Sequence, residues 1–444
     1  MGGTTLFGGD LDESSGQGKA TKGEGEARVK RPDRRQSLFR PQIFDQLIPS
    51  DHRARGIVKF VEELDLAPFY ESIKSRGVEP GRPATDPGML VALWLFATSE
   101  GVGSARQLER LCERDDAYRW ICGGVQVNQH GLSTFRVAHG AALDDLLTNV
   151  LGVLLHQGLA KLHRISQDGV RVRANAGAGS FRGEQTLKTC LEAAEEQVKH
   201  TKNLIDKDDP TRTDKMKESA ARVAREREKR VRKALHELES LRARKAAKTG
   251  SDPKKEPRAS TTDPESRVMR MADGGYRPAF NMQFGVDTDT RAIVSVGVTN
   301  SGSDAGLIKP MIEDVERRTD TTPKELLVDG GYTSFVDLQA AGEKGVKVYA
   351  PVPEPRLPGV DRYQPKKDDP EHIATWRQRM STESAKEIYK ERAATSERTN
   401  ADLRQHRGLH QLPVRGIAKA MKVGLWMAIA YNALLWIGEK AATS

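Results

Sequence analysis

The chain has 444 residues and a formal net charge of +9. This length allows two or three domains, each with its own core. Charged residues make up 30% of the chain and aromatic residues only 5%, so part of it must be solvated helix or tail. The positive balance favours a polyanionic partner, although charge by itself reports only non-specific attraction.

Three cysteines occur, Cys112, Cys122 and Cys190, and no two of them form a CxxC pair. This count argues against a disulfide scaffold or a zinc ribbon and fits a reducing, cytoplasmic location. The N-terminus has no apolar segment typical of a secretory signal. The apolar stretch Val423–Ile437 is shorter than the roughly 20 residues that span a bilayer and is interrupted by Asn432. We therefore expect a buried core helix and no membrane partner.

The first 160 residues divide into a tail and a helical domain. Residues 1–40 are rich in Gly, Ser, Lys and Arg and predict a disordered basic tail. Residues 41–160 carry helical periodicity: Ser104 is placed to cap one helix, and Ser133-Thr134 precede a leucine-rich pattern that predicts a long one. The arginines of this domain are equally compatible with DNA contact and with ordinary surface charge.

Residues 161–440 predict an α/β domain interrupted by an insertion. A strand-like segment at 161–175 is followed by highly charged helical stripes over 183–248, broken at Asp209-Pro210, and by a polar loop at 249–275. We interpret residues 183–270 as a charged helical hairpin and loop. A DNA-gripping arm, a dimerising arm and a solvated spacer all remain open for it.

Strand and helix patterns then alternate in the rest of this domain. They predict strands at 279–287 and 292–298, a helix near 305–318, a strand ending at Asp329 and a strand at 346–350. A Pro-rich loop from 351 to 370 precedes a helical stretch that contains Glu397. This order predicts a mixed α/β sheet.

Three separated acids stand in segments suited to metal binding. Asp329 follows the apolar run Leu326-Leu327-Val328 and precedes two glycines, which places it at the carboxyl end of a buried strand, although an acid there is also a common turn residue. Asp168 lies within a strand pattern, where a half-buried carboxylate needs a cation or a hydrogen-bond donor. Glu397 shares its helix with Tyr389, Arg392 and Arg404.

Competing motifs are weak. Gly16-Gln17-Gly18-Lys19-Ala20 lacks the spacing of a phosphate-binding loop, and His406 with His410 lacks the glutamate of a zinc hydrolase. Trp376 lies between the second and third acids, and we interpret it as a packing residue.

Six segments, in order, give the chain a specific resemblance over about residues 41–440. It resembles an insertion-sequence transposase of the DDE superfamily, whose N-terminal transposase domain is helical and whose catalytic domain has an RNase H-like fold. The resemblance rests on residues 105–112, 168–176, 262–267, 329–332, 389–404 and 414–416.

The resemblance implies roles for individual residues. Asp168, Asp329 and Glu397 match the family's catalytic metal ligands, which hold two Mg²⁺ ions, with Mn²⁺ as a substitute; Tyr389, Arg392 and Arg404 match its DNA-contacting signature. This chain departs from the signature twice. Four residues separate Arg392 from Glu397 where three are usual, and arginine replaces the usual lysine at 404. Glu391 is the alternative third acid.

The implied activity is metal-dependent cleavage at the ends of an insertion sequence, followed by strand transfer into target DNA. The implied partners are the terminal inverted repeats and the target DNA, with a homodimer in synapsis by analogy. The alternative is a non-catalytic DNA-binding protein derived from a transposase, acting as a repressor or an architectural factor. A nuclease that cuts without joining is a nearer variant.

Overall fold

The computed structural model describes residues 43–443 apart from 72, 74–82, 207–212, 247–255 and 356–358. The predicted tail at 1–40 and the Asp209-Pro210 break lie outside the described residues. Among the described residues, seven α-helices precede the first strand, as the helical periodicity of this region predicts. They are α1 (Arg53–Glu62), α2 (Ala67–Glu71), α3 (Pro87–Ser99), α4 (Ala105–Arg114), α5 (Asp116–Cys122), α6 (Gln129–Ala138) and α7 (Gly140–His156).

Helix boundaries in this region depend on local capping. Ser104 caps α4 as predicted, because its side chain accepts a hydrogen bond from the Gln107 N–H. The predicted long leucine-rich helix is confirmed as α7, but Ser133 and Thr134 lie inside the preceding helix α6 and do not cap it. Asn128 caps α6 through the Gly131 N–H, and the chain leaves helical geometry at His139 before α7 begins.

The main sheet is built around β1 (Arg164–Arg173). Its antiparallel neighbour is β5 (Tyr276–Asp287), which pairs in turn with β6 (Ile293–Thr299). On its other side β1 pairs in parallel with β7 (Glu325–Leu327), which pairs in parallel with β8 (Lys347–Tyr349). The order β6-β5-β1-β7-β8 confirms the predicted RNase H-like mixed sheet.

The segment predicted as a polar loop at 249–275 contains two short strands, so that part of the prediction is wrong. β3 (Ala259–Ser260) pairs with β2 (Phe181–Arg182), and β4 (Arg267–Arg270) pairs with the first residues of β5. Both strands are short, and β3 pairs with residues far earlier in the chain, so neither gives a strong local signal.

The predicted charged hairpin is confirmed as α8 (Glu184–Asp206) and α9 (Asp214–Ala246). Its helices run antiparallel, as two ion pairs between them show. Arg242, late in α9, pairs with Glu184 at the start of α8 at 2.6 Å, and the earlier Arg232 pairs with the later Glu195 at 2.9 Å. A small apolar core of its own lies between them. Leu187, Val231 and Leu238 supply most of that core.

The remaining helices position the C-terminal acids and close the core. They are α10 (Ile308–Thr319), α11 (Phe335–Glu343), α12 (Glu371–Ser381), α13 (Glu383–Arg392), α14 (Arg398–Gln405) and α15 (Ile417–Thr443). Between α13 and α14 the helix continues as one π-helical turn, Ala393–Glu397.

Helix α15 packs against α1, α3 and α7 on one side and against β6 on the other. Asn432 is fully buried in it, and its amide pairs with both the N–H and the C=O of Ile293, each at 2.9 Å. Of the described helices, α15 is the one that is long and apolar enough to cross a membrane. Helices α6 and α7 are so only if the bent pair is counted as a single span. However, 67% of the most apolar stretch of α15 is buried inside the protein. This burial agrees with the predicted core helix.

Candidate active site

Asp168 lies in the middle of β1, the strand flanked by β5 and β7. Its Oδ1 accepts a hydrogen bond from the Gly169 N–H at 3.0 Å, and its Oδ2 accepts one from Asn400 Nδ2 at 3.0 Å. Burial raises the pKa of this carboxyl to about 6, although the nearby Arg392 charge opposes the shift. A buried carboxylate with this few donors is one that a cation would stabilise.

The extra residue between Arg392 and Glu397 is held in the π-helical turn Ala393–Glu397. A π turn places residue i+5 where an α-helix places i+4, so it absorbs one residue without rotating the next helix. Arg392 Nη2 accordingly donates to Glu397 Oε1 at 3.2 Å. The unusual spacing in the sequence therefore leaves the two side chains facing each other.

Arg392 stands between two of the three predicted acids. Its Nη1 lies 3.7 Å from Asp168 Oδ2, while its Nη2 pairs with Glu397. Its guanidinium is largely buried, whereas Glu397 is 59% exposed. The positive charge of Arg392 thus occupies a position between carboxylates that a cation would otherwise take.

Asp329 comes two residues after β7, where the sequence places it at a strand end. Its Oδ1 accepts a hydrogen bond from the Gly331 N–H at 2.7 Å and caps a short 3₁₀ turn. Its negative charge helps to raise the pKa of Asp168 and also acts on Arg392. Asp329 therefore acts electrostatically on Asp168 and Arg392, and it is not among the residues that line the groove shared by Asp168 and Glu397.

Glu391, the alternative third acid, has a different role in the structure. Both of its carboxylate oxygens accept hydrogen bonds from Arg164 Nη1 at 2.7 Å. Arg164 begins β1 and also pairs with Glu325 at 2.7 Å. Glu391 thus ties α13 to the sheet, and Glu397 is the acid near Asp168.

A groove of about 520 Å³ opens over Asp168 and Glu397. Arg404 lines it and is exposed, so this predicted DNA contact faces the same space. Tyr389 is partly buried, and its pKa is raised by burial while the Arg392 charge opposes that shift. Trp376, in contrast, is buried and donates to the Ala350 carbonyl at 3.3 Å, which agrees with a packing role.

The sequence did not reveal a network of polar side chains beneath Gly169. Asp304 Oδ1 accepts hydrogen bonds from Asn281 Nδ2 at 2.7 Å and Gln283 Nε2 at 3.0 Å, and the Tyr332 hydroxyl donates to Gln283. A Cβ at Gly169 would lie 2.4 Å from Gln283 Nε2. A side chain there would displace members of the network, because the network packs directly against the backbone next to Asp168.

Two buried polar atoms near Asp168 have no hydrogen-bond partner: Asn400 Oδ1 and Arg392 Nη1. The first is an acceptor suited to a cation, and the second is a donor suited to an anion such as a phosphate oxygen. Asn400 Oδ1 and the carboxylates are hard oxygen ligands of the kind that Mg²⁺ prefers. Among the residues that the structure describes, however, no three His, Cys, Asp or Glu side chains are grouped to hold a metal ion.

Two family models match the chain. One described as "Transposase domain (DUF772)" matches residues 42–137, and one described as "Transposase DDE domain" matches residues 245–433. Together they cover well over half of the chain, and the second includes Asp329 and Glu397 but begins after Asp168. No curated protein and no solved structure matches the chain.

Proposed function

The chain belongs to the insertion-sequence DDE transposases, and from that premise we propose that it cleaves DNA at the ends of its element and joins them to target DNA. One observation carries the proposal. Asp168 and Glu397, distant in the sequence, line one groove on either side of the Arg392 guanidinium. A transposase needs a site in which acidic and basic side chains contact the same phosphodiester.

We propose Asp168, Asp329 and Glu397 as the ligands of divalent ions, Mg²⁺ with Mn²⁺ as a substitute. Such ions, when bound, supply Lewis-acid polarisation and activation of the attacking oxygen. Asn400 supports this set, because its amide fixes one oxygen of Asp168 and leaves its own oxygen unpaired in the groove. The π turn supports it as well, because it keeps Glu397 beside Arg392, whose guanidinium lies 3.7 Å from Asp168.

We propose Tyr389, Arg392 and Arg404 as DNA contacts. Arg392 Nη1 is buried and has no hydrogen-bond partner, although it lies 3.7 Å from Asp168, and a phosphate oxygen is the acceptor that a guanidinium binds best. Arg404 is exposed in the groove and free to follow the DNA backbone. We further propose that the DNA partners are the terminal inverted repeats and the target, that a homodimer brings two ends together, and that the protein acts in the cytoplasm.

The test uses purified protein and a labelled duplex that carries the DNA flanking the gene. We expect Mg²⁺- or Mn²⁺-dependent cleavage at a fixed position and joining to a second DNA. Asp168→Asn should abolish both reactions, whereas the matched control Asp289→Asn should not. Asp289 is an exposed acid paired with Lys161 and is not part of the groove. Strand transfer by Asp168→Asn would refute the assignment of Asp168.

One observation favours a second function, a non-catalytic DNA-binding protein. Arg392 forms ion pairs with both Asp168 and Glu397, and no three acids among the described residues are grouped for a metal. In that case the wild-type protein should bind the same duplex without cutting it at any concentration of Mg²⁺ or Mn²⁺. Hydrolysis without joining would instead identify a nuclease.

A further inference from the structure

A second cavity, of about 340 Å³, lies between the N-terminal helices, α15 and the segment that comes after α14. Its walls include Trp94, Trp426 and Met427, which make it largely apolar. It opens at Gly103 and Ser104, both of which are exposed. Its volume lies within the roughly 300–1,000 Å³ typical of small-molecule sites.

One charged side chain, Arg136, is buried in this cavity. Arg136 is 6% exposed, and burial lowers its pKa to about 10. Its Nη1 donates to the Gly103 carbonyl, and its guanidinium lies 4.7 Å from the Trp94 ring. Its Nε is buried without a hydrogen-bond partner, and no carboxylate among the described residues forms an ion pair with it. A buried cation in this state lacks the anion that would offset its desolvation.

The start of α4 reaches the same cavity. Ser104, the N-cap of this ten-residue helix, lines the opening together with Gly103. The first N–H groups of a helix and its dipole favour an anion at that end. The helix start and Arg136 are therefore two independent features of the cavity that favour negative charge.

We propose that this cavity binds a small organic anion with a planar or apolar body, of the class of a nucleoside monophosphate. The acidic group would meet Arg136 and the start of α4, while the body would contact Trp94, Trp426 and Met427. The inference that the anion is a nucleotide rests on the proposed action on DNA. The inference that the cavity binds an anion does not depend on that action. The nucleotide would be either free or the terminal unit of a DNA strand.

The position of the cavity supports the terminal unit of a DNA strand as the source of the nucleotide. His410 lines both this cavity and the groove over Asp168 and Glu397. The segment around His410 passes close to the N-terminal helices, since a Cβ at Gly408 would lie 2.8 Å from the Gly101 carbonyl oxygen. A strand end in the groove would therefore lie close to the cavity.

Intrinsic tryptophan fluorescence tests the proposal, because Trp94 and Trp426 line the cavity. The full-length protein is titrated with thymidine 5′-monophosphate, thymidine, and 5′-phosphorylated pentathymidylate. We expect saturable binding of the monophosphate and at least tenfold weaker binding of thymidine. Equal binding of pentathymidylate identifies a DNA end as the source, and its failure to bind identifies a free nucleotide.

Two variants and one control locate the binding. Arg136→Met should weaken monophosphate binding at least tenfold, and so should Gly103→Leu, which fills the opening. Gly103 tolerates a side chain, because its Cβ would meet only Pro413, at 3.9 Å. Arg110→Met, at an exposed arginine of α4, should leave binding unchanged.

The proposal is overturned if no probe gives saturable binding, or if Gly103→Leu binds the monophosphate as the wild type does. The second variant keeps the test decisive even where loss of Arg136 prevents folding. Asp168→Asn should retain binding, so a failure of the catalytic assignment is distinguishable from a failure here.

Discussion

The π-helical turn Ala393–Glu397 makes a prediction about a deletion. Ala394 is exposed within this turn, and removing it restores the three-residue spacing that is usual between the signature arginine and glutamate. We expect the shortened chain to form a regular α-helix through this point. Arg392 and the glutamate should stay in contact, and α14 should keep its face towards β1.

The magnitude can be worked out from helix geometry. At about 100° per residue, side chains five apart on an α-helix point about 140° away from each other, and those four apart only about 40°. The π turn removes this difference, so deleting its extra residue should change the stability by no more than about 1 kcal/mol. The cleavage rate should stay within about tenfold of wild type, which is a change of no more than about 1.4 kcal/mol in activation free energy.

Deleting Ala401 is the matched control. Ala401 is also an exposed alanine, but it lies in regular α-helix, so its loss rotates everything after it by about 100°. Leu403, which is fully buried, would then leave the core at a cost of about 2–5 kcal/mol.

Urea unfolding and the duplex cleavage assay measure both deletions. A loss of stability for the Ala394 deletion as large as that for the Ala401 deletion would refute the reasoning. It would mean that the turn does not hold a surplus residue and that Glu397 owes its direction to something else.

Three further predictions concern other parts of the structure. Gly169→Ala should lower the free energy of unfolding by about 1–3 kcal/mol and reduce cleavage, because the new Cβ would lie 2.4 Å from Gln283 Nε2. The control Gly152→Ala, with open space around it in the interior of α7, should instead raise the free energy of unfolding by up to about 1 kcal/mol in urea, because alanine favours the helix. Asn432→Ala should cost about 2–5 kcal/mol in the same measurement, because the buried N–H and C=O of Ile293 would both lose their partner; a cost below about 1 kcal/mol would contradict this. Arg404→Ala should weaken DNA binding and reduce the slope of log affinity against log salt by about one unit in a fluorescence-anisotropy titration, and an unchanged slope would exclude a phosphate contact.

The sequence predicted the sheet well because its strands carry strong local signals. The apolar run before Asp329 marks a buried parallel strand, and the alternating pattern around residues 279–298 marks an antiparallel pair that the structure confirms. It failed at β3 and β4, which are only two and four residues long. It also did not separate α6 from α7, because that boundary is set by the departure from helical geometry at His139.

The candidate site was only partly accessible from the sequence. The motifs named its acids, but Asn400 was missed, although it stands three residues after Glu397 and so one helical turn along the same side. Asp304 was missed because its contacts to Asn281 and Gln283 join a loop to a strand far away in the chain. The sequence showed that one extra residue separates Arg392 from Glu397. It did not show that a π turn accommodates this residue, because such turns have no clear sequence signal.

The packing of α15 also constrains the order in which the protein can form. This helix is the last of the described elements, yet it contacts α1, α3, α7 and β6, and Asn432 is bonded to the backbone of β6. During synthesis, the helices made first must therefore wait for nearly the whole chain before their apolar surfaces are covered. A product truncated before α15 would expose those surfaces and be a substrate for proteases, so the N-terminal helices should not persist as an independent DNA-binding fragment.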